Sequence, residues 1–172
     1  MLVKRKEIDN EILREAIEKV MLGPSLKSKV ITPTQKKLTA YHEAGHALTS
    51  TVLPKAQKVQ KVTIIPRGRA AGYTFHSDSE TDAITRTKTE FLSEITVLFG
   101  GYVVEEIVFG EVSTGASNDL SRASDIARGM VTKYGMSELG PVSYGEDKGM
   151  TFLGRDMVEK QHYSEEIASR ID

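Results

Sequence analysis

The spacing of apolar residues along the chain predicts five helices and one short pair of strands. The first helix runs from Ile8 to about Met21, where apolar positions recur every three to four residues, and Gly23-Pro24 ends it. The second helix begins with a complete start signal, in which Thr32 caps, Pro33 takes the first helical position and Gln35 completes a capping box. It should continue to about Leu53. The apolar positions that we expect on its buried face are Leu38, Tyr41, Gly45, Leu48 and Val52.

The middle of the chain changes from a helical to a strand pattern. Residues 59–65 are rich in Val, Thr and Ile, and residues 72–75 follow after a turn signal, so a small strand pair is expected. Three helices then follow: one from Thr85 or Thr87 to Gly110, one over 117–134, and one over 157–171. Residues 76–85 are predicted to form a polar loop and 137–155 an irregular segment. The fold class is therefore α+β, mainly helical, with a small sheet beside the second helix.

Composition excludes several classes of protein. The 23 basic and 24 acidic residues balance, which gives no reason to expect a nucleic-acid partner. No apolar run is long enough to span a membrane, so we expect this piece of chain to be soluble. Because the chain has no Cys, any metal must be held by His, Asp or Glu.

The second predicted helix carries the segment His42-Glu43-Ala44-Gly45-His46. Two His residues four positions apart lie on one face of a helix, so both imidazoles can reach one cation. Zinc accepts neutral imidazole nitrogen, and Glu43 on the adjoining flank can take a proton from a zinc-activated water. Gly is a poor helix former, so Gly45 between the two His residues suggests that something approaches the helix backbone closely; Gly100-Gly101 in the third helix suggests close packing or a kink.

Catalytic zinc normally has three protein ligands, and helix geometry leaves the third one open. His76 and His162 lie in polar segments and are more simply explained as exposed side chains. Asp119 falls at the edge of the apolar stripe of the fourth helix, whereas Asp125 falls on its solvent face. Asp119 therefore needs a partner, either a metal or the electropositive helix N-terminus.

Glu105 and Glu106 are rival carboxylates on the third helix. The apolar pattern places Glu106 within the buried stripe and Glu105 on its flank. Either could be a ligand or could orient a zinc-bound His, and a plain surface pair remains the alternative.

Three segments resemble the peptidase domain of the FtsH family, which are ATP-dependent, membrane-anchored zinc proteases. They are the stretches 41–47 around the His pair, 105–110 around the Glu pair, and 113–120 reading Ser-Thr-Gly-Ala-Ser-Asn-Asp-Leu. Further similarity runs through 130–137, 139–141 and 163–166, so that it covers most of the chain from about Ile12 onward.

The resemblance implies that Asp119 is the third zinc ligand beside His42 and His46, with Glu43 as catalytic base. It also implies that Gly72-Tyr73-Thr74-Phe75 is an edge that pairs with extended substrate. Other implied properties are a homo-hexameric ring, an AAA ATPase module that feeds unfolded or misfolded polypeptide, and a membrane-anchored protein with its peptidase domain on the cytoplasmic side. Two segments depart from the family pattern. The departure at Gly101-Tyr102-Val103-Val104 concerns the packing of the third helix. The departure at His76-Ser77-Asp78-Ser79 concerns the edge that is expected to pair with substrate.

The chain contains no Gly-x-x-x-x-Gly-Lys-Ser/Thr phosphate loop, so we expect the ATPase module to be absent from it. Residues 1–30 are predicted to be a helix and linker from a preceding ATPase region, and 31–172 a zinc peptidase domain truncated at its C-terminus. The leading hypothesis is a zinc endopeptidase that acts on unfolded polypeptide. The alternatives are a zinc-stabilised scaffold for ring assembly with a partner ATPase and, with less support, a metal-dependent hydrolase of small molecules.

Overall fold

The computed structural model describes residues 8–26, 28, 30–68, 70–76, 85–144 and 164–171. Five α-helices and two strands follow one another in these residues: α1 (Asn10–Leu22), α2 (Pro33–Val52), β1 (Val59–Thr63), β2 (Tyr73–His76), α3 (Lys88–Phe109), α4 (Ser117–Thr132) and α5 (Glu165–Ile171). A short 3-10 helix, Thr114–Ala116, leads directly into α4. The predicted α+β class with a small sheet is confirmed. Of the predicted last helix, residues 157–163 lie outside the described residues.

Local start and stop signals in the sequence set the helix boundaries. Both predicted capping boxes form: Thr32 Oγ1 accepts from the backbone of Gln35 at 3.2 Å, and the backbone N–H of Thr87 donates to Glu90 at 2.6 Å. Gly110 ends α3 in a left-handed conformation with φ of 71°, which an L-residue with a side chain adopts less readily.

The three longest helices form the body of the molecule. Helix α3 packs against α2 on one side and against α4 on the other, and α5 contacts α4. The antiparallel hairpin of β1 and β2 lies beside α2, with Val62 opposite Thr74 and Thr63 opposite Tyr73. This arrangement brings α2, α3, α4 and β2 to one cleft.

Helix α2 buries mainly its polar side, so our prediction of its buried face was wrong except at Gly45. His42, Glu43, Gly45, His46 and Ser50 are buried, whereas Leu48 and Val52 are 65% and 71% exposed. The apolar pattern predicted the wrong side because the polar residues of this helix, and not its apolar ones, face α3 and the hairpin. The outward apolar side of α2 is exposed in the single chain.

Helix α1 is joined to the hairpin by a buried ion-pair cluster. Glu18 is 3% exposed and contacts Lys61 Nζ at 2.7 Å and Arg67 Nη2 at 2.9 Å. The backbone N–H of Leu26 also donates to Pro66 O at 2.8 Å. The first helix thus has specific polar contacts with the body that follows it.

Candidate metal centre and active site

Helix α2 places His42 and His46 side by side in the cleft. They are one helical turn apart, and their rings meet edge to face with centroids 4.7 Å apart. His42, Glu43 and His46 are each 6–7% exposed. Three polar side chains buried together need specific partners, because unpaired burial costs about 1–3 kcal/mol for each neutral polar group.

The Nδ1 atoms of both imidazoles contact acceptors on α3. His46 Nδ1 lies 2.7 Å from the carbonyl oxygen of Val97, and His42 Nδ1 lies 2.7 Å from Glu105 Oε1. A carbonyl oxygen only accepts, so His46 Nδ1 must carry the proton of this hydrogen bond. In a neutral ring the proton at Nδ1 leaves Nε2 with a lone pair, which is the form that binds a metal.

The Nε2 atoms of the two rings converge with a carboxylate oxygen of Asp119. The two nitrogens are 3.0 Å apart, and Asp119 Oδ2 lies 3.2 Å from that of His42 and 3.4 Å from that of His46. Three ligand atoms around a tetrahedral zinc with bonds of about 2.0–2.1 Å stand about 3.3–3.4 Å apart. The triangle has nearly that size, so these donors fit a zinc ion.

Electrostatics within this triangle favours a negatively charged Asp119. Burial alone would raise the pKa of Asp119, but its contacts with the imidazoles of His42 and His46 hold the pKa well below its usual range. Burial alone would lower the pKa of His42, yet Asp119 and Glu105 raise it above its ordinary value. The cluster therefore attracts positive charge, which either a proton or a metal cation supplies.

The two glutamates of α3 have opposite environments. Glu105 is fully buried; besides its contact with His42, its Oε2 accepts from the backbone N–H of Ser113 at 2.6 Å. Glu106 is exposed. The sequence pattern had placed Glu106 in the buried stripe, and this was wrong because α3 turns Glu105 and its glycines toward α2. Glu105 is thus positioned to orient His42.

Glu43 lies beside the His pair and faces β2. Its Oε2 accepts from Thr74 Oγ1 at 2.8 Å. A Cβ at Gly72 would stand 3.1 Å from Glu43 Oε1, so the start of β2 passes close to the second oxygen. Burial raises the pKa of Glu43, while Thr74 and the two imidazoles oppose this rise. Its carboxylate is therefore a stronger proton acceptor than an exposed one.

Glycines allow α2 and α3 to approach closely at this point. A Cβ on Gly45 would overlap the backbone carbonyl of Gly100, and a Cβ on Gly100 would stand 2.7 Å from Gly45 O. A Cβ on Gly101 would overlap the ring of His42, with both ring nitrogens at 2.6 Å. The expectation of close packing at these glycines is confirmed, and the packing brings Val97 O and Glu105 within reach of the rings.

Of the other predicted candidates, Asp125 lies on the exposed side of α4, as expected. His76 was expected to be exposed in a loop, and this was wrong, because it is a half-buried residue paired at the end of β2. Among the described residues, the set that could share one metal ion is His42, His46 and Asp119. His162 lies outside the described residues. The sequence analysis did not identify Thr74 and Val97 as contacts of Glu43 and His46. The period-two pattern of β2 could have indicated Thr74. Val97 makes its contact through the backbone carbonyl, which leaves no signal in the sequence.

One cleft of about 1160 Å³ contains this cluster. Its walls come from α2, α3, α4 and β2, including Thr74 and Phe75. The other edge of β2 has no paired strand among the residues that the structure describes. An open strand edge beside a metal-ligand cluster gives an extended peptide a place to pair.

Comparison with known proteins identifies one protein family and a set of similar relatives. Residues 29–172 match the family described as peptidase family M41. The chain is 48% identical over 169 residues to the ATP-dependent zinc metalloprotease FtsH of Caldicellulosiruptor bescii, and 50% identical over 170 residues to the protein of that name from Bacillus subtilis. The FtsH of Thermotoga maritima is 48% identical over 170 residues.

These alignments cover 98% of the chain but only 26–28% of the relatives. The chain thus spans about a quarter of the length of the curated relatives it matches. Within the described residues, no helix is long and apolar enough to cross a membrane.

Proposed function

The chain belongs to peptidase family M41, and on that premise we propose that it is a zinc-dependent endopeptidase module that cleaves unfolded or misfolded polypeptide. The observation that carries the proposal is the convergence of His42 Nε2, His46 Nε2 and Asp119 Oδ2 within 3.0–3.4 Å. The relatives' name, ATP-dependent zinc metalloprotease, supports both the metal and the reaction class.

His42, His46 and Asp119 would hold the zinc in this proposal. When bound, zinc polarises a carbonyl group and makes a water molecule more acidic. Glu105 and Val97 O hold the two imidazoles by their Nδ1 atoms, which fixes the ring orientation and keeps Nε2 available as a ligand. The glycines of α2 and α3 allow these contacts because they bring the two backbones together.

Glu43 would act as the general base. Thr74 donates to its Oε2, which leaves Oε1 to take the proton of the attacking water and later deliver it to the leaving amine. Burial raises the pKa of Glu43 toward the range in which one carboxyl group can both accept and return a proton. No covalent intermediate with the protein is needed.

Substrate would bind as an extended strand along the open edge of β2. Main-chain pairing accepts many sequences, which suits a protease of unfolded polypeptide better than a hydrolase of one small molecule. The cleft volume of about 1160 Å³ also suits a polypeptide segment.

The partners would be further copies of the chain and an AAA ATPase module in the full-length protein. The exposed apolar side of α2, with Leu48 and Val52, is a surface that assembly into a homo-hexamer could cover. In this proposal residues 1–30 connect the ATPase region to a peptidase domain that begins at residue 31, and the full-length protein is membrane-anchored with this domain on the cytoplasmic side.

A zinc-stabilised scaffold is the alternative. Structural zinc sites usually have four protein ligands, and the described residues bring only three together. A scaffold also has no use for Glu43, which would be buried beside the ligands at a cost.

Glu43→Gln tests the proposal against the scaffold. Purified wild type and variant are compared for zinc content and for cleavage of casein and of short unstructured peptides. We expect about one zinc ion per chain in both and cleavage by the wild type alone. Bound zinc with no cleavage by a wild-type assembly that includes its ATPase would favour the scaffold. Equal cleavage by wild type and variant would refute the role of Glu43 as the base. A wild type that takes up no zinc on reconstitution would refute both.

A further inference from the structure

A second set of polar side chains lines the cleft beyond the metal-ligand cluster. His76 comes from the end of β2, Arg122 from α4, and Glu94 and Arg86 from α3 and the segment before it. None of them belongs to the catalytic set proposed above. Their charges and hydrogen bonds indicate what this part of the cleft can bind.

Arg122 lies next to the metal-ligand cluster on the same helix as Asp119. Residues three positions apart on a helix are neighbours on its surface, so the guanidinium of Arg122 extends from the same side of α4 as Asp119. Its side chain is 55% exposed. A charged group at this place can contact a substrate that lies across the metal centre.

The nearby carboxylate does not neutralise Arg122 fully. Glu94 Oε2 lies 2.5 Å from Arg86 Nη2, whereas Glu94 Oε1 lies 3.5 Å from Arg122 Nη2. One carboxylate is thus shared between two guanidinium groups, and its closer contact is with Arg86. The three side chains together carry one net positive charge.

His76 adds an unused hydrogen-bonding atom to the wall of the same cleft. Its Nε2 is buried, and among the residues that the structure describes it has no hydrogen-bond partner. Burial lowers the pKa of His76, and the neighbouring His46 and Arg122 add to this effect. A neutral imidazole whose Nε2 carries the proton donates one hydrogen bond.

Because His76 has an unpaired buried nitrogen and Arg122 is a partly exposed cation on the wall of the same cleft, we infer that His76 and Arg122 form a subsite for an acidic side chain of the polypeptide near the cleaved bond. A substrate carboxylate would accept from His76 Nε2 and pair with Arg122. An apolar side chain there would leave His76 Nε2 unpaired and remove water from the guanidinium, both of which cost free energy. The inference rests on the proposed function, because it names a sequence preference of the same cleft.

Peptide binding to the zinc-loaded Glu43→Gln protein tests the subsite without requiring hydrolysis. The probes are fluorescein-labelled, unstructured ten-residue peptides in which a single Glu occupies successive positions of a neutral sequence. Each has a twin with Gln at the same position, and fluorescence anisotropy gives both dissociation constants. We expect one position at which the Glu peptide binds about five- to tenfold more tightly than its Gln twin at low salt.

Substitutions assign the preference to the two residues. Arg122→Gln should remove most of the preference, and His76→Phe, which keeps a ring but no nitrogen, should reduce it about two- to threefold. Arg128→Gln is the matched control, since Arg128 lies on the same helix but does not line the cleft. Equal zinc content and an unchanged circular dichroism spectrum show that all variants are folded.

Equal binding of the Glu and Gln twins at every position, or a preference that persists in Arg122→Gln, would overturn the inference. Cleavage by the wild type is measured separately with the same peptides. A binding preference without any cleavage, also by a wild-type assembly that includes its ATPase, would leave the subsite standing and refute the proposed peptidase activity, so the two failures can be told apart.

Discussion

Gly101 provides the space in which the imidazole of His42 lies. A Cβ at position 101 would stand 2.6 Å from both ring nitrogens, well inside van der Waals contact. The ring is also fixed by Glu105 at its Nδ1, so it cannot move aside without losing that contact. Gly101, which lies on α3 and has no side chain, thus determines the position of His42, a candidate metal ligand on α2.

Gly101→Ala should therefore displace His42 and weaken zinc binding. We expect the free energy of unfolding to fall by about 1–3 kcal/mol, the usual cost of overpacking, although alanine is the better helix former. Urea unfolding of the metal-free protein and competition with a chromophoric chelator measure the two effects.

Gly129→Ala is the matched control for this substitution. Gly129 also lies in a helix, but its added Cβ would meet only Tyr134 Cε2 at 3.7 Å, an ordinary contact. That variant should be neutral or more stable by up to about 1 kcal/mol. If the two variants behaved alike, helix propensity rather than contact with His42 would explain the result.

Glu105→Gln should reduce zinc affinity about 10–100-fold. It should also lower stability, because the amide NH2 would face the backbone N–H of Ser113, from which Glu105 Oε2 accepts in the wild type. The amide can still accept from His42, but it no longer stabilises the ring with a negative charge. Glu106→Gln is the control, since Glu106 lies one position away and is exposed. Zinc dissociation constants at constant pH check the prediction, and equal values for the two variants would show that Glu105 has no influence on the ligand.

The sequence predicted the local elements of this fold better than the tertiary environment of its residues. Thr32 and Thr87 could be identified as helix starts because their partners Gln35 and Glu90 lie three residues away. The buried face of α2 was predicted wrongly, because apolar periodicity assumes that Leu48 faces inward, and here the His pair does. Contacts such as that of His46 with Val97 O depend on how α3 crosses α2, which no local pattern encodes.

Thr74→Val should impair catalysis while leaving zinc bound. The hydroxyl of Thr74 donates to Glu43 Oε2, and this hydrogen bond opposes the rise in the pKa of Glu43 that burial causes. Without it the pKa of Glu43 should rise further. A general base must be deprotonated, so the acidic limb of kcat/KM should move to higher pH, with kcat about tenfold lower.

Thr74→Ser keeps the hydroxyl and should restore both kcat and the pH profile. Peptide cleavage between pH 5 and 9, with zinc content measured in parallel, checks this pair of variants. Should Thr74→Val lower kcat with no shift of the acidic limb, the hydroxyl would act on the shape of β2 and not on the base.

Glu18→Gln should destabilise the protein at neutral pH and not in acid. Glu18 is buried between Lys61 and Arg67, so its neutral replacement leaves buried Arg67 without its carboxylate partner; we expect a loss of about 2–4 kcal/mol. Burial alone would raise the pKa of Glu18, but Lys61, Tyr73 and Arg67 lower it below its ordinary value of 4.5. A lowered folded-state pKa means that the ionised form stabilises the fold above the unfolded-state pKa.

The difference in unfolding free energy between wild type and Glu18→Gln should consequently be constant from neutral pH down to about pH 5 and shrink below about 4.5. Urea unfolding of metal-free protein at several pH values measures it without interference from zinc release. Glu15→Gln, exposed on the same helix, should stay within about 0.5 kcal/mol of wild type throughout. A wild-type advantage over Glu18→Gln that persisted unchanged at pH 3 would mean that packing, not the charge of Glu18, joins α1 to the hairpin.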